Sequence, residues 1–184
     1  MIRVAAIAGS YRTDSYNRTL LAIGVTALRL RGVEVDLIDL RALALPVYDG
    51  DLEADPGPPA GAIELKARIR GAQALLIASP EYNGSIPGGL KNAIDWASRA
   101  PDAAFGGKVA AIMGASPGGL GSVRGLAHLR QCLTALDVWV VPSQVTVPAA
   151  HKAFAADGSL LDPRTDEQVT RLVERLLESV ARLG

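Results

Sequence analysis

The chain has 184 residues, the size of one domain with a substantial core. Its 19 Lys and Arg balance its 19 Asp and Glu, so no net field draws it to nucleic acid or to an anionic membrane surface. A single cysteine, Cys132, excludes an intrachain disulfide and a cysteine-based metal centre, and His128 and His151 are too few and too far apart in sequence to suggest another metal site.

The lone cysteine suits a reducing compartment. The apolar start of the chain is too short for a signal peptide, and no later stretch approaches the roughly 20 residues of a membrane span. A soluble, cytoplasmic protein of one domain, residues 1–184, is the expectation. Of the basic residues 15 are Arg and four are Lys, spread along the chain and read mostly as solvated helix faces.

A strand-like run at 3–8 opens the pattern and ends in Gly9-Ser10-Tyr11-Arg12-Thr13-Asp14-Ser15-Tyr16-Asn17. This loop leads into helical spacing over 17–30. Its hydroxyls, guanidinium and amide, set at a helix start whose N–H groups carry partial positive charge, suit a phosphate: Arg12 can chelate two oxygens, and Ser10, Ser15 and Asn17 can donate further bonds. It is neither a Walker A loop nor a G-x-G-x-x-G turn. Ser15 or Asn17 can equally cap the helix, which is compatible with an anion site.

A second strand is expected at 33–38. Residues 50–61, rich in Pro, Gly and acid, read as an exposed connector before a helix at 60–70. The next strand, 73–79, contains the continuous apolar run Ala74-Leu75-Leu76-Ile77-Ala78 of a strand covered on both faces. It runs into Ser79-Pro80-Glu81-Tyr82-Asn83-Gly84-Ser85-Ile86-Pro87-Gly88-Gly89, and a helix spans 87–98. Two prolines there remove backbone donors, and the glycines permit close approach or positive φ. Backbone groups with Glu81, Tyr82 and Asn83 suit the edge of a heteroaromatic ring, although a plain strand-to-helix connection would use similar residues.

A fourth strand at 109–115 leads to the glycine-rich loop 114–122, where Ser116 either reaches the same ligand or merely sits in a turn. A helix at 122–136 and a strand at 138–147 follow. The last helix, 165–183, shows one apolar face through Val169, Leu172, Val173, Leu176, Leu177, Val180 and Leu183. Five strands alternating with helices mean an α/β fold, and they fit a flavodoxin-like doubly wound parallel sheet with helices on both faces and strand order 2-1-3-4-5. In that order the ligand crevice lies beyond the carboxyl ends of strands 1 and 3.

Two motifs carry a resemblance. Gly9-Ser10-x-Arg12-x-x-Ser15-x-Asn17-x-x-Leu20 and Ser79-Pro80-Glu81-Tyr82-Asn83-x-Ser85-x-Pro87-Gly88-x-Leu90-Lys91-Asn92-Ala93-Ile94-Asp95-Trp96 resemble those of the NADPH-dependent FMN reductases. Residues 121–131, with Arg124 and His128-Leu129-Arg130-Gln131, resemble the family's quinone and chromate reductase branch.

The resemblance implies that Ser10, Arg12, Ser15 and Asn17 hold the FMN phosphate. It implies further that Pro80, Glu81, Tyr82, Asn83 and Gly84 line the isoalloxazine, with Ser116 contributing from the third loop. Residues 91–96 would be structural. Electrons would pass from transiently bound NADPH or NADH to quinones, chromate, azo compounds or free flavin, in a homodimer or homotetramer with FMN near the interface. Arg124 is a candidate for that contact, and Ala127, where some relatives carry an aromatic residue, departs from the pattern. No acid-base side chain stands out as catalytic. A flavodoxin-type electron carrier is the alternative, against which the neutral charge and Arg12 both count.

Overall fold

Apolar runs become the centre of a sheet in the computed structural model, which describes residues 1–183. The strands are β1 (Arg3–Ala8), β2 (Glu34–Ile38), β3 (Ala74–Ala78), β4 (Val109–Ala115) and β5 (Trp139–Val147). All neighbours pair parallel, in the order β2-β1-β3-β4-β5. The central strands β3 and β4 are buried at every residue and β1 at all but Arg3, whereas the edge strands β2 and β5 keep many exposed and half-buried positions. The continuous runs follow from this, because a central parallel strand has helices on both faces.

The helices are α1 (Tyr16–Arg29), α2 (Gly50–Ala54), α3 (Ala60–Arg70), α4 (Gly88–Ala97), α5 (Val123–Thr134) and α6 (Pro163–Leu183). On one face, Leu20, Leu21 and Leu28 of α1 and Leu172 and Leu176 of α6 pack on Val4, Ala6, Leu76 and Met113. On the other, Leu65 and Ile69 of α3, Leu90 and Ile94 of α4, and Leu126 and Leu129 of α5 pack on Ala5, Ile7, Leu75, Ile77 and Ile112. Successive strand residues thus feed opposite cores, as the two-residue repeat of a strand requires. No helix of the described residues is long and apolar enough to cross a membrane.

Most elements fall within one or two residues of the sequence expectation, and two of the differences have a clear side-chain cause. The connector at 50–61 contains the short helix α2, started by Asp49, whose side chain accepts from the Asp51 N–H at 2.9 Å. The last helix begins at Pro163, two residues early: Asp162 accepts from Arg164 N at 3.1 Å and from the Thr165 hydroxyl at 2.8 Å, and proline at the first helical position loses no bond there.

Where regular structure is interrupted, side chains from distant elements satisfy the exposed backbone. The β4–β5 register shifts between Ala110 and Ile112. At that bulge the Arg130 guanidinium donates to the carbonyls of Val140 at 3.1 Å and Val141 at 2.8 Å. Helix α5 starts from Ser122, left-handed at φ 71° and making no side-chain cap bond. Glu81, from the loop after β3, supplies the cap instead: its carboxylate accepts the N–H groups of Arg124 at 3.0 Å and Gly125 at 3.1 Å, and the Arg124 Nε at 2.7 Å.

These two anchors give measurable expectations. Arg130→Ala leaves covered carbonyls unpaired and should cost about 2 kcal/mol, read from urea unfolding; a loss under about 0.5 kcal/mol would contradict the role. For Glu81, burial pushes its carboxyl up, but the Arg124 guanidinium and the α5 N–H groups outweigh that and hold it below the ordinary range. A carboxylate depressed in the folded state stabilises fully above its unfolded value of about 4.3 and loses that contribution as pH falls through the folded value. The stability difference between the unsubstituted chain and Glu81→Gln should therefore be largest near neutrality and shrink below about pH 4. A difference that is flat across this range in urea titrations would refute it.

Candidate functional site

The order β2-β1-β3-β4-β5 sets the loops after β1, β3 and β4 side by side, with the winding direction reversing between β1 and β3. The loops also touch. Gly9 N donates to Ala78 O at 2.8 Å, and a Cβ on Gly9 would stand 2.9 Å from Leu90 Cδ2 and 3.3 Å from Ser79 Oγ. The Tyr11 ring lies against Gly89, where a Cβ would meet it at 2.7 Å. Glycine at both positions lets the first loop settle onto the start of α4. Burial and the charge of Asp39 push the Tyr11 phenol up, so it stays neutral.

In the first loop Ser10 is buried and its hydroxyl accepts the Arg12 N–H at 3.3 Å. Ser15 is the N-cap of α1, with its side chain accepting from Asn17 N at 3.2 Å. No acidic residue occupies the first turn of α1, leaving its positive end uncompensated. Arg12 is exposed and, among the described residues, pairs with no carboxylate. A free guanidinium, a covered hydroxyl and a helix amino end without an acid form a donor set that fits a phosphate.

Asn17 is engaged otherwise. Its side chain, 2% exposed, donates from Nδ2 to Ala115 O at 2.8 Å and accepts from Ala115 N at 2.9 Å through Oδ1. The amide expected at the phosphate is bonded to the end of β4.

In the second loop, Tyr82-Asn83-Gly84-Ser85 is a type I′ turn. Asn83 and Gly84 have φ of 52° and 80°, and Tyr82 and Ser85 exchange backbone bonds of 2.9 and 3.1 Å. The Asn-Gly pair is the local signal for this turn. Glu81 turns away from the crevice and caps α5, while the Ser85 hydroxyl meets His128 Nδ1 at 3.1 Å. Gly125 permits the contact, since a Cβ there would lie 3.1 Å from Ser85 O and 3.3 Å from Glu81 Cα. Thus Tyr82 and Asn83 are exposed and Gly84 is half-buried at the tip of the turn, whereas Pro80 is buried with its carbonyl accepting the Ser79 hydroxyl at 2.9 Å and the Glu81 carboxylate is bonded to α5. Arg124, a candidate for a subunit contact, pairs with Glu81 of its own chain.

Lys91, Asn92, Asp95 and Trp96 form the structural half of the second motif. Asn92 Nδ2 and Trp96 Nε1 both donate to Pro46 O, at 2.8 and 2.9 Å, and Asn92 Oδ1 accepts Tyr48 N at 2.7 Å. Tyr48 meets Trp96 edge-on at 5.0 Å between ring centroids, with Arg99 5.1 Å over its face. Lys91 pairs with Asp95 along the helix at 2.6 Å.

In the third loop, Ser116 N donates to Val147 O at 3.1 Å and its carbonyl accepts Ala150 N at 2.9 Å, so its backbone is fixed; the residue is half-buried, with its hydroxyl oxygen 4.0 Å from where a Cβ on Gly118 would stand. No His, Cys, Asp and Glu cluster suited to a metal occurs among the described residues.

This geometry agrees with what the chain is similar to. It is 44% identical to an NAD(P)H-dependent FMN reductase of Pseudomonas aeruginosa, over 99% of this chain and 97% of that protein. With a quinone reductase of Escherichia coli it shares 35% identity, again over 99% and 97%. A solved structure, the flavoenzyme NAD(P)H:(acceptor) oxidoreductase FerB from Paracoccus denitrificans, superposes with a TM-score of 0.85 at 34% identity, covering 100% of both chains. Residues 2–152 match the family model described as NADPH-dependent FMN reductase, and the chain belongs to that family.

Proposed function

We propose that this chain is an NAD(P)H-dependent oxidoreductase that holds FMN at the three-loop crevice and passes electrons from a reduced nicotinamide to a small-molecule acceptor such as a quinone, chromate, an azo compound or free flavin. The observation that carries this reading is the adjacency of an anion site at the start of α1 to a backbone-framed edge one strand away. Ser10, Arg12 and Ser15 would hold the phosphate. The turn from Pro80 to Gly84 and the Ser116 hydroxyl would border the ring.

Bound FMN would supply the hydride and electron chemistry. The chain's own part is to fix the phosphate end, present peptide groups in one orientation and leave an approach open. Tyr82 is 45% exposed and Leu120 53% exposed, so aromatic and apolar surface borders the approach without closing it. A flat acceptor can stack there without a shaped pocket, which suits breadth of substrate.

Reduced nicotinamide would bind at the same opening. A homodimer or homotetramer with the crevice near its interface fits the exposed Tyr82, Leu120 and Val123 at this end of the sheet.

The test is anaerobic addition of NADPH and of NADH to the FMN-reconstituted protein, followed by a quinone. The visible flavin band should bleach and then return when the quinone is added. A flavin that binds but stays oxidised would instead mark an electron carrier, and a protein that takes up no FMN would refute the reading. Arg12→Ala should weaken FMN binding about tenfold or more, the worth of a charge-assisted bond, and leave riboflavin affinity unchanged. Equal FMN affinity in fluorescence-quenching titrations would remove Arg12 from the phosphate site.

A further inference from the structure

The end of the β3–β4 ladder contains a substitution that backbone geometry alone does not explain. Ala78 pairs with Met113, and Ser79 N then donates to Met113 O at 2.9 Å. In a continued parallel ladder, Ala115 N would donate to Ser79 O and Ala115 O would accept from residue 81. Neither bond forms. Asn17 makes both: Oδ1 accepts Ala115 N at 2.9 Å and Nδ2 donates to Ala115 O at 2.8 Å.

The Asn17 carboxamide therefore acts as a surrogate strand. Covered N–H and C=O groups with no partner are costly, so β3 could not leave β4 at this point without a replacement. With Asn17 in place, the chain after Ser79 is free to turn at Pro80, bond its Glu81 carboxylate to α5 and form the Tyr82–Ser85 turn. The loop after β3 thus leaves the path of β4 beside the β1–β3 switch point, where the doubly wound order puts the ligand crevice. Because Asn17 belongs to the first turn of α1, the same carboxamide fixes the phosphate loop relative to the Ser116 loop.

We propose that Asn17 is a positioning residue, not a phosphate ligand: its carboxamide replaces two missing ladder bonds on Ala115, holds the crevice open and sets the span between the anion site and the ring-bordering loops. The proposal rests on the flavin-binding reading above. It differs from a direct phosphate role in a measurable way, since a phosphate ligand affects only the phosphorylated flavin whereas a residue that sets the crevice affects both forms.

The experiment is a fluorescence-quenching titration of the flavin-free protein, unsubstituted and as Asn17→Asp and Asn17→Ala, with FMN and with riboflavin. Asp keeps the acceptor for Ala115 N but loses the donor to Ala115 O. Both ligands should weaken by the same factor, on the order of tenfold for Asn17→Asp, and the visible circular dichroism of bound flavin should change. Hydrogen exchange provides a second reading, independent of flavin: the Ala115 amide should exchange faster in either variant while the Gly9 amide, bonded to Ala78 O, keeps its protection.

A loss confined to FMN would overturn the proposal and return Asn17 to the phosphate, leaving the flavin reading intact. Unchanged affinity for both flavins would also overturn it. Should the unsubstituted protein bind neither flavin, the functional reading itself fails and the proposed role of Asn17 falls with it. A variant too unstable to titrate is still decided by exchange, because uniform loss of protection at Ala115 and Gly9 alike would show a general structural role and overturn the specific one.

Discussion

Polar backbone groups in a covered sheet must find partners, and in this molecule that constraint governs everything beyond the strand ends. A buried N–H or C=O group left without a partner carries a large desolvation cost. Regular pairing satisfies them along β1, β3 and β4 but fails at three places: the carboxyl end of β4, the start of α5 and the β4–β5 bulge. A single distant side chain closes each gap, namely Asn17 on Ala115, Glu81 on Arg124 and Gly125, and Arg130 on Val140 and Val141. Two of the three lie at the crevice. The same bonds that finish the fold therefore hold the loops that form the site.

Charge is arranged to match. Many of the arginines are spent on carboxylates, including Arg3 on Glu34, Arg18 on Asp39, Arg68 on Asp36 and Arg124 on Glu81. In a chain with no net charge, an arginine left without a carboxylate becomes a local positive feature instead of part of a general field. Arg12 is such a residue, beside an α1 amino end that carries no acid in its first turn. Binding an anion there requires no broad basic surface.

How far the sequence discloses this depends on the range of each interaction. Strands β1 and β4 and helix α3 fall where the apolar runs and helical spacing put them, because those signals are local; burial is nearly complete along the two strands and, in α3, centres on Ala62, Leu65 and Ile69. The start of α6 at Asp162-Pro163, a cap followed by proline, and the Tyr82–Ser85 turn at Asn83-Gly84 rest on local signals that a reading by apolar periodicity passes over. Helix α2 was hidden by the prolines and glycines around it. Glu53 in that helix accepts from the Tyr48 hydroxyl at 2.8 Å and pairs with Arg99 at 3.2 Å, so a contact far along the chain sustains a segment whose composition reads as loop. Asn17 and Glu81 illustrate the same limit at the site. Their types mark them as functional, but the groups they bond lie 98 and 43 residues away, and no spacing rule connects an asparagine at a helix start to a peptide unit on β4.

The protonation states around the crevice bear on what the chain itself can contribute. Glu81 is held ionised by Arg124 and the α5 amides, and the Tyr11 phenol is held neutral by burial and Asp39. A group fixed in one state near neutrality is poorly placed to exchange protons, since general acid-base catalysis works best with a value close to the working pH. Ser10, Ser15, Asn17 and Ser116 do not titrate in that range at all. The residues assembled here are thus suited to orientation: hydrogen-bond donors and acceptors of constant charge, on a backbone braced by side chains that are already fully bonded. On the proposed function, a site so built would leave selectivity between acceptors to redox potential and stacking, because no group in it changes charge with the acceptor.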